Sequence, residues 1–349
     1  MKKVFFLFAT LVALSFVACS DDDNTPTPPP TASSPRYLAA HDGKVYVSMH
    51  SGCVVRVDTI SLAVDGVVAV GRNPEQLTVS GGNLYVANSG GLDYATALGY
   101  DRTVSVVDLR SFKEKKKVEV AVNPTSIATA PDGDVYVVSS GNYTDVPAQL
   151  QKISPSSQAV TTVEGAAVSE MCVLGGSLFG VLSEYGENWS VTITYKHYDF
   201  ASGTLSTSWI TPGDEPVSPY KVFAAGDCVA VSSTDYVSSG SVALFNTDGT
   251  KTAEFEAGIS PRKAVQVGEN LYVLNEGLYG YNNSTITKYS LSTGQAEPGC
   301  AFSAANNLAL GDTANDILFY GGKIYVAVAT DNVLWVLSPD ARVIEQIVF

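Results

Sequence analysis

Seven times along this chain a short turn rich in Gly or Asp leads into a strand-like run of Val, Tyr and related apolar residues. The copies are His41-Asp42-Gly43-Lys44 before Val45-Tyr46-Val47, Gly81-Gly82-Asn83 before Leu84-Tyr85-Val86, and Pro131-Asp132-Gly133-Asp134 before Val135-Tyr136-Val137. They continue as Gly175-Gly176-Ser177 before Leu178-Phe179-Gly180, Ala225-Gly226-Asp227 before Cys228-Val229-Ala230, Gly268-Glu269-Asn270 before Leu271-Tyr272-Val273, and Gly321-Gly322-Lys323 before Ile324-Tyr325-Val326. Asp-Gly and Gly-Gly pairs reach the positive φ that a tight hairpin needs. Their spacing is roughly 40–50 residues, the period of one blade in a propeller.

A second element precedes each copy. It reads Ser34-Pro35, Asn73-Pro74, Asn123-Pro124, Ser218-Pro219 and Ser260-Pro261, with Val168-Ser169 and Ala314-Asn315 in the same place without proline. Proline as the first residue of a strand costs no ladder bond. Further strands follow each turn, such as Val54 to Val57, Val104 to Val107, Ile286 to Tyr289 and Val333 to Leu337. Four strands per repeat and no helical period predict an all-β chain, a seven-bladed β-propeller of four-stranded antiparallel blades. The blades are expected near 34–71, 72–122, 123–165, 166–217, 218–258, 259–312 and 313–349. Both end blades read as complete, so the ring is expected to close by face packing, without a strand exchanged across the seam.

Ahead of the repeats lie Lys2 and Lys3, an apolar run over 4–18, and then Phe16-Val17-Ala18-Cys19. The run is short for a bilayer span, which takes about 20 residues, and fits a secretory leader over 1–18. These four residues, with the cut just before Cys19, resemble the lipobox of bacterial lipoproteins, with Phe16 where leucine is usual. That resemblance implies lipidation of Cys19. The acidic run Asp21-Asp22-Asp23 is similar to the surface-export signal of Bacteroidetes lipoproteins. The Pro- and Thr-rich remainder of 19–33 cannot bury a core and reads as a disordered tether. Together these resemblances imply a lipid-anchored protein of the outer membrane, expected to face outward rather than into the periplasm.

The repeats lack the Trp-Asp signature of WD propellers. Their pattern over 34–349 resembles the YncE-like and DUF5074-type propellers. A surface lipoprotein of that build is similar to the cobalamin-capturing lipoproteins of Bacteroidetes. The resemblance implies a captured small molecule, with cobalamin or another corrinoid first among candidates, and a TonB-dependent transporter as partner. No motif in the chain singles out cobalamin.

Formal net charge is −14 and moves to −16 if Lys2 and Lys3 leave with the leader. The one basic run, Lys113 to Lys117, falls at a hairpin, so a nucleic-acid partner is not expected. Cys53, Cys172, Cys228 and Cys300 sit in an oxidising compartment, and their pairing is left open. The three histidines His41, His50 and His197 lie in three separate places, which argues against a three-His metal centre. No GxSxG elbow is present. Small-molecule binding by a monomer, without a resident cofactor, is the leading expectation; the alternatives are an interaction scaffold of the cell envelope that binds a protein partner through the same face, and a propeller lyase or hydrolase. An enzyme would have to draw its acid or base from Glu75, Glu170 or Asp316.

The segment entering each first strand and the loop between second and third strands share one face of a propeller. The latter loops carry Tyr94, Tyr100, Tyr143, Tyr185, Trp189, Tyr236, Tyr279 and Tyr281. Aromatics on loops over a rigid scaffold make a binding face. The residues just after each Asn/Ser-Pro should line the channel mouth: Arg36, Glu75, Thr125, Glu170, Tyr220, Arg262 and Asp316. Tyr37, Gln76, Ser126, Lys221 and Lys263 follow them. These mixed charges suit a polar ligand; the competing expectation is a water-filled channel whose charges pair with one another.

Overall fold

Asp42 and Gly43 adopt φ of 46° and 73°, the pair of left-handed residues that closes a two-residue hairpin with the right strand twist. The turn at Gly226-Asp227 uses one left-handed residue, Gly226 at φ 63°. Each of the seven turns joins the first strand of a sheet to its second. In the computed structural model, which describes residues 31–349, every sheet has four antiparallel strands, consecutive in sequence. The first strands are Pro35–His41, Pro74–Ser80, Pro124–Thr129, Glu170–Leu174, Pro219–Ala225, Pro261–Val267 and Ala314–Tyr320. Each contacts the first strands of both neighbouring blades, and Pro35–His41 meets Ala314–Tyr320 to close the ring. The architecture is a seven-bladed propeller, and among the described residues no strand crosses the seam.

The core lies between blades rather than within them. Tyr85 of blade 2 packs with Ile127, Val137 and Ile153 of blade 3. Leu334 and Val336 of blade 7 pack with Val45 and Val55 of blade 1. Fully burying one such side chain is worth about 1.5–3 kcal/mol. That gain is realised only when a neighbouring blade is present.

A bulge follows the proline in blade 1. Pro35 faces Met49 and Leu38 faces Val47, so Arg36 and Tyr37 together face Ser48. Similar shifts follow Pro74, Pro124, Pro219, Pro261 and Ala314, and blade 4 pairs without one. Bulges re-aim side chains, and in each bulged blade two successive residues face a single residue of the second strand.

One element was not anticipated. Ala301–Asn306 forms a short helix in the crossing from blade 6 to blade 7. Its Phe302 is fully buried against Trp335, ring centroids 5.2 Å apart. Cys53, Cys172, Cys228 and Cys300 are all free thiols, the first two buried. The expected leader, Cys19 and the expected tether as far as residue 30 lie outside the described residues.

Candidate functional site

The strand registers sort the axial residues into two rings of seven. The upper ring is Arg36, Glu75, Thr125, Ser169, Tyr220, Arg262 and Asn315, and the lower ring is Tyr37, Gln76, Ser126, Glu170, Lys221, Lys263 and Asp316. Glu170 and Asp316 thus stand one level deeper than the sequence places them. In the two blades without Asn/Ser-Pro the repeat lacks its marker, and the alignment slips by one residue. Ser169 and Asn315 hold the upper positions.

The charges of both rings are all paired, three cations with carboxylates of the rings and Arg262 with Glu276 beside them. Arg36 forms a fork with Glu75, its Nη2 at 3.0 Å, and donates from Nη1 to Asn315. Lys221 donates to Glu170. Lys263 lies 2.7 Å from Asp316, and Asp316, 1% exposed, also accepts from the backbone N–H of Leu38. Arg262 donates to Glu276 at 2.7 Å and to the Tyr37 hydroxyl at 3.0 Å. Tyr220 donates to the same Glu276 carboxylate. Four cations therefore meet four carboxylates.

Burial alone would push the Glu75 carboxyl up, but Arg36 and His50 outweigh it and hold it at about 2. His50 Nε2 lies 3.4 Å from Glu75 without the alignment of a hydrogen bond. Burial likewise opposes the charge on Lys221, and Glu170 overcomes it, holding the amine above its ordinary value. Burial raises the Tyr220 phenol to about 12. None of the three carboxylates considered as acid or base, Glu75, Glu170 and Asp316, is without a cationic partner.

Above the rings opens a basin of about 870 Å³, within the range of small-molecule sites. Tyr143, Tyr185, Tyr220 and Tyr236 stand around it, and Arg36, Tyr37, Glu75, Thr125, Ser126, Glu170, Lys221 and Arg262 form its floor. A smaller space of about 230 Å³ continues below, past Gln76, Lys263 and Asp316. Tyr236 packs edge-on to Tyr220. Tyr94 stacks on Tyr100, which meets the edge of Tyr143, so those two buttress the rim without lining the basin. Tyr279 and Tyr281 are exposed and also lie outside it. Trp189 ends the short turn Glu187–Trp189, and its side chain is outside the described set.

Sequence reasoning missed Glu276 and Lys196. Glu276 directly follows the second strand Asn270–Asn275, a position without a repeat marker. Lys196 lies within a third strand, Val191–Asp199, where alternation marks interior positions but not the basin.

No protein-family model matches the chain, and no curated protein matches it. Solved structures match its shape. The chain is similar to Kuenenia stuttgartiensis hydrazine synthase, with a TM-score of 0.63 and 18% identity over 92% of this chain and 99% of that one. It is also similar to the computationally designed Ika8 protein, with a TM-score of 0.60 and 10% identity over 91% of this chain and 88% of that one. The likeness is one of fold. At these identities the chemistry of either protein does not carry over.

Proposed function

We propose that this propeller is a binding protein that captures a polar small molecule in the basin, held at the outer membrane through Cys19 and passing its ligand to a TonB-dependent transporter. One observation carries the capture step: a basin of about 870 Å³ with tyrosines at its rim and a floor whose charges are already paired. Paired charges favour binding over proton transfer, because a general acid or base needs a carboxylate free to exchange its proton. Tyr143, Tyr185 and Tyr236 offer flat contact area with a polar edge. A corrinoid, large and edged with amides, is the first compound class to test.

The test is a thermal-shift screen of the purified protein against corrinoids, glycans and cofactors. A ligand at a hundred times its dissociation constant stabilises the fold by about 2.7 kcal/mol. Alanine at Tyr185 and Tyr236 should remove the shift, and alanine at Tyr279 should leave it. Loss of labelled palmitate on Cys19→Ala tests the anchor.

Exposed Leu92, Tyr94 and Leu98 on one loop favour a second reading, docking of a protein partner beside the basin. Alanine at Tyr94 and Leu98 should then abolish pull-down of that partner while small-molecule shifts persist.

A further inference from the structure

On the third strand of blade 4, Lys196 pairs with Gly180. In the other six blades the residue at that register position is Val55, Ser105, Gln151, Ala243, Thr287 or Trp335. One lysine thus occupies a place, between blades, that is otherwise neutral. It is 8% exposed. Its Nζ donates to the Gly165 carbonyl at 2.9 Å, and among the described residues no carboxylate lies within salt-bridge distance of it.

That hydrogen bond ties down the segment leading from blade 3 into blade 4. Gln151 does the same work one blade earlier, accepting from the backbone N–H of Ala121 at 2.6 Å. The tether therefore needs no charge. An ammonium carries three donors, and burying one with a single carbonyl partner is costly unless an anion joins it. Burial indeed holds the Lys196 amine below its ordinary value. The side chain lines the basin beside Ala148, Gly165 and Ala167, whose small size leaves room next to it. Glu184, also in the basin lining, eases the charge on Lys196 only from beyond salt-bridge distance. Arg36, Lys221 and Arg262 each have their carboxylate, so Lys196 is the one cation among the described residues lining the basin that is left to answer a ligand's charge.

We infer that Lys196 anchors an anionic group of the captured molecule, and that the basin takes small molecules bearing a carboxylate, seated between blades 3 and 4 with their flat part toward Tyr143 and Tyr185. This rests on the capture reading and names its ligand class. A single lysine offers one point charge, which a monoanion balances. The chain as a whole is acidic, at −14. Attraction must therefore be short-range, inside the roughly 8 Å over which salt leaves charges visible.

Indole-3-acetate and indole-3-acetamide share a shape and differ in charge. Calorimetric titration of the purified protein at neutral pH should find the acetate bound about tenfold more tightly, the size of one charge-assisted hydrogen bond. Lys196→Gln, which copies the neutral tether of Gln151, should erase that preference and leave amide binding unchanged. Lys196→Arg should keep it, and serves if the glutamine variant does not fold. In the unaltered protein the acetate, but not the amide, should raise the titration midpoint of the Lys196 Cε resonance. Equal affinities, a preference that survives Lys196→Gln, or no binding of either probe at millimolar concentration would overturn the inference. Tight binding of the amide or of uncharged compounds would leave the capture reading standing. That reading falls only if no compound of any class binds in the basin.

Discussion

Arg262 reaches across the channel mouth from blade 6 and donates to the Tyr37 hydroxyl of blade 1 at 3.0 Å, past the intervening blade 7. The same guanidinium grips Glu276 at 2.7 Å. One side chain thus links two blades that share no interface. Arg262→Met should leave the part-buried Glu276 without its cation and destabilise the fold by about 2–4 kcal/mol. Tyr37→Phe should cost only about 1 kcal/mol. Urea midpoints of the two variants check the ordering; equal losses would show that the hydroxyl, not the carboxylate, is what Arg262 supports.

Acid should weaken the ring through Glu75. Its carboxyl is held at about 2 in the fold, against about 4.3 in an unfolded chain. The unfolded state therefore binds a proton first as pH falls, and the stabilisation, present above about pH 4.3, is lost between there and pH 2. The gap corresponds to about 3 kcal/mol. Glu75→Gln should flatten the part of the stability profile between pH 5 and 2 that this group supplies, and lower stability at pH 7. Denaturant unfolding across that range measures both; an unchanged acid limb would assign it to other carboxylates.

Much of this was legible in the chain. Seven turns and five Asn/Ser-Pro steps fix the blade number because each is a local requirement of hairpin or strand start. The two-ring mouth was only partly legible. Glu170 and Asp316 sit in the two blades that lack the Asn/Ser-Pro marker, and a bulge is a property of the pairing, visible only once the partner strand is known. Lys196 was hidden for a related reason: its oddity appears on comparison with Gln151 and five other residues that share its register, not with its neighbours in sequence. Likewise Ala301–Asn306 spans too few residues to show a helical period, and it holds its shape because Phe302 is buried.

Phe302→Ala tests that last statement. The ring is fully buried between the helix and Trp335, and Trp335 itself donates to the Leu310 carbonyl at 2.8 Å. Removing it leaves a cavity that the six-residue helix cannot refill, at a cost of about 3–5 kcal/mol. A loss below about 1 kcal/mol would mean that the helix collapses onto Trp335.

The rim tyrosines should behave oppositely. Tyr143 is 72% exposed and Tyr236 is 60% exposed, so alanine at either should change stability by no more than about 0.5 kcal/mol. Any loss of ligand binding in these variants is then a loss of contact rather than of fold. Thermal melts of the ligand-free variants make the comparison, and a large drop would turn these rings into packing residues.

The seam offers the sharpest test of how the ring stays closed. Among the described residues its blades exchange no strand, and polar ties bridge them beside the apolar packing. Asn332, left-handed at φ 59°, accepts from the Ser34 N–H at 2.8 Å through Oδ1. Its Nδ2 donates to the Phe349 carbonyl, and its own carbonyl accepts from the Phe349 N–H. One residue of blade 7 thereby holds both the start of blade 1 and the residue just past the last strand, Val343–Val348. Asn332→Gly keeps the backbone conformation and removes the side-chain ties, whereas Asn332→Ala also strains φ. The glycine variant should lose about 1–2 kcal/mol, two hydrogen bonds in part-buried surroundings, and the alanine variant should lose more. Amide exchange should speed up first in Pro35–His41 and Val343–Val348 while blades 3 to 5 keep their protection. Uniform acceleration around the ring would mean that the seam opens only with global unfolding, and that face packing alone keeps it shut.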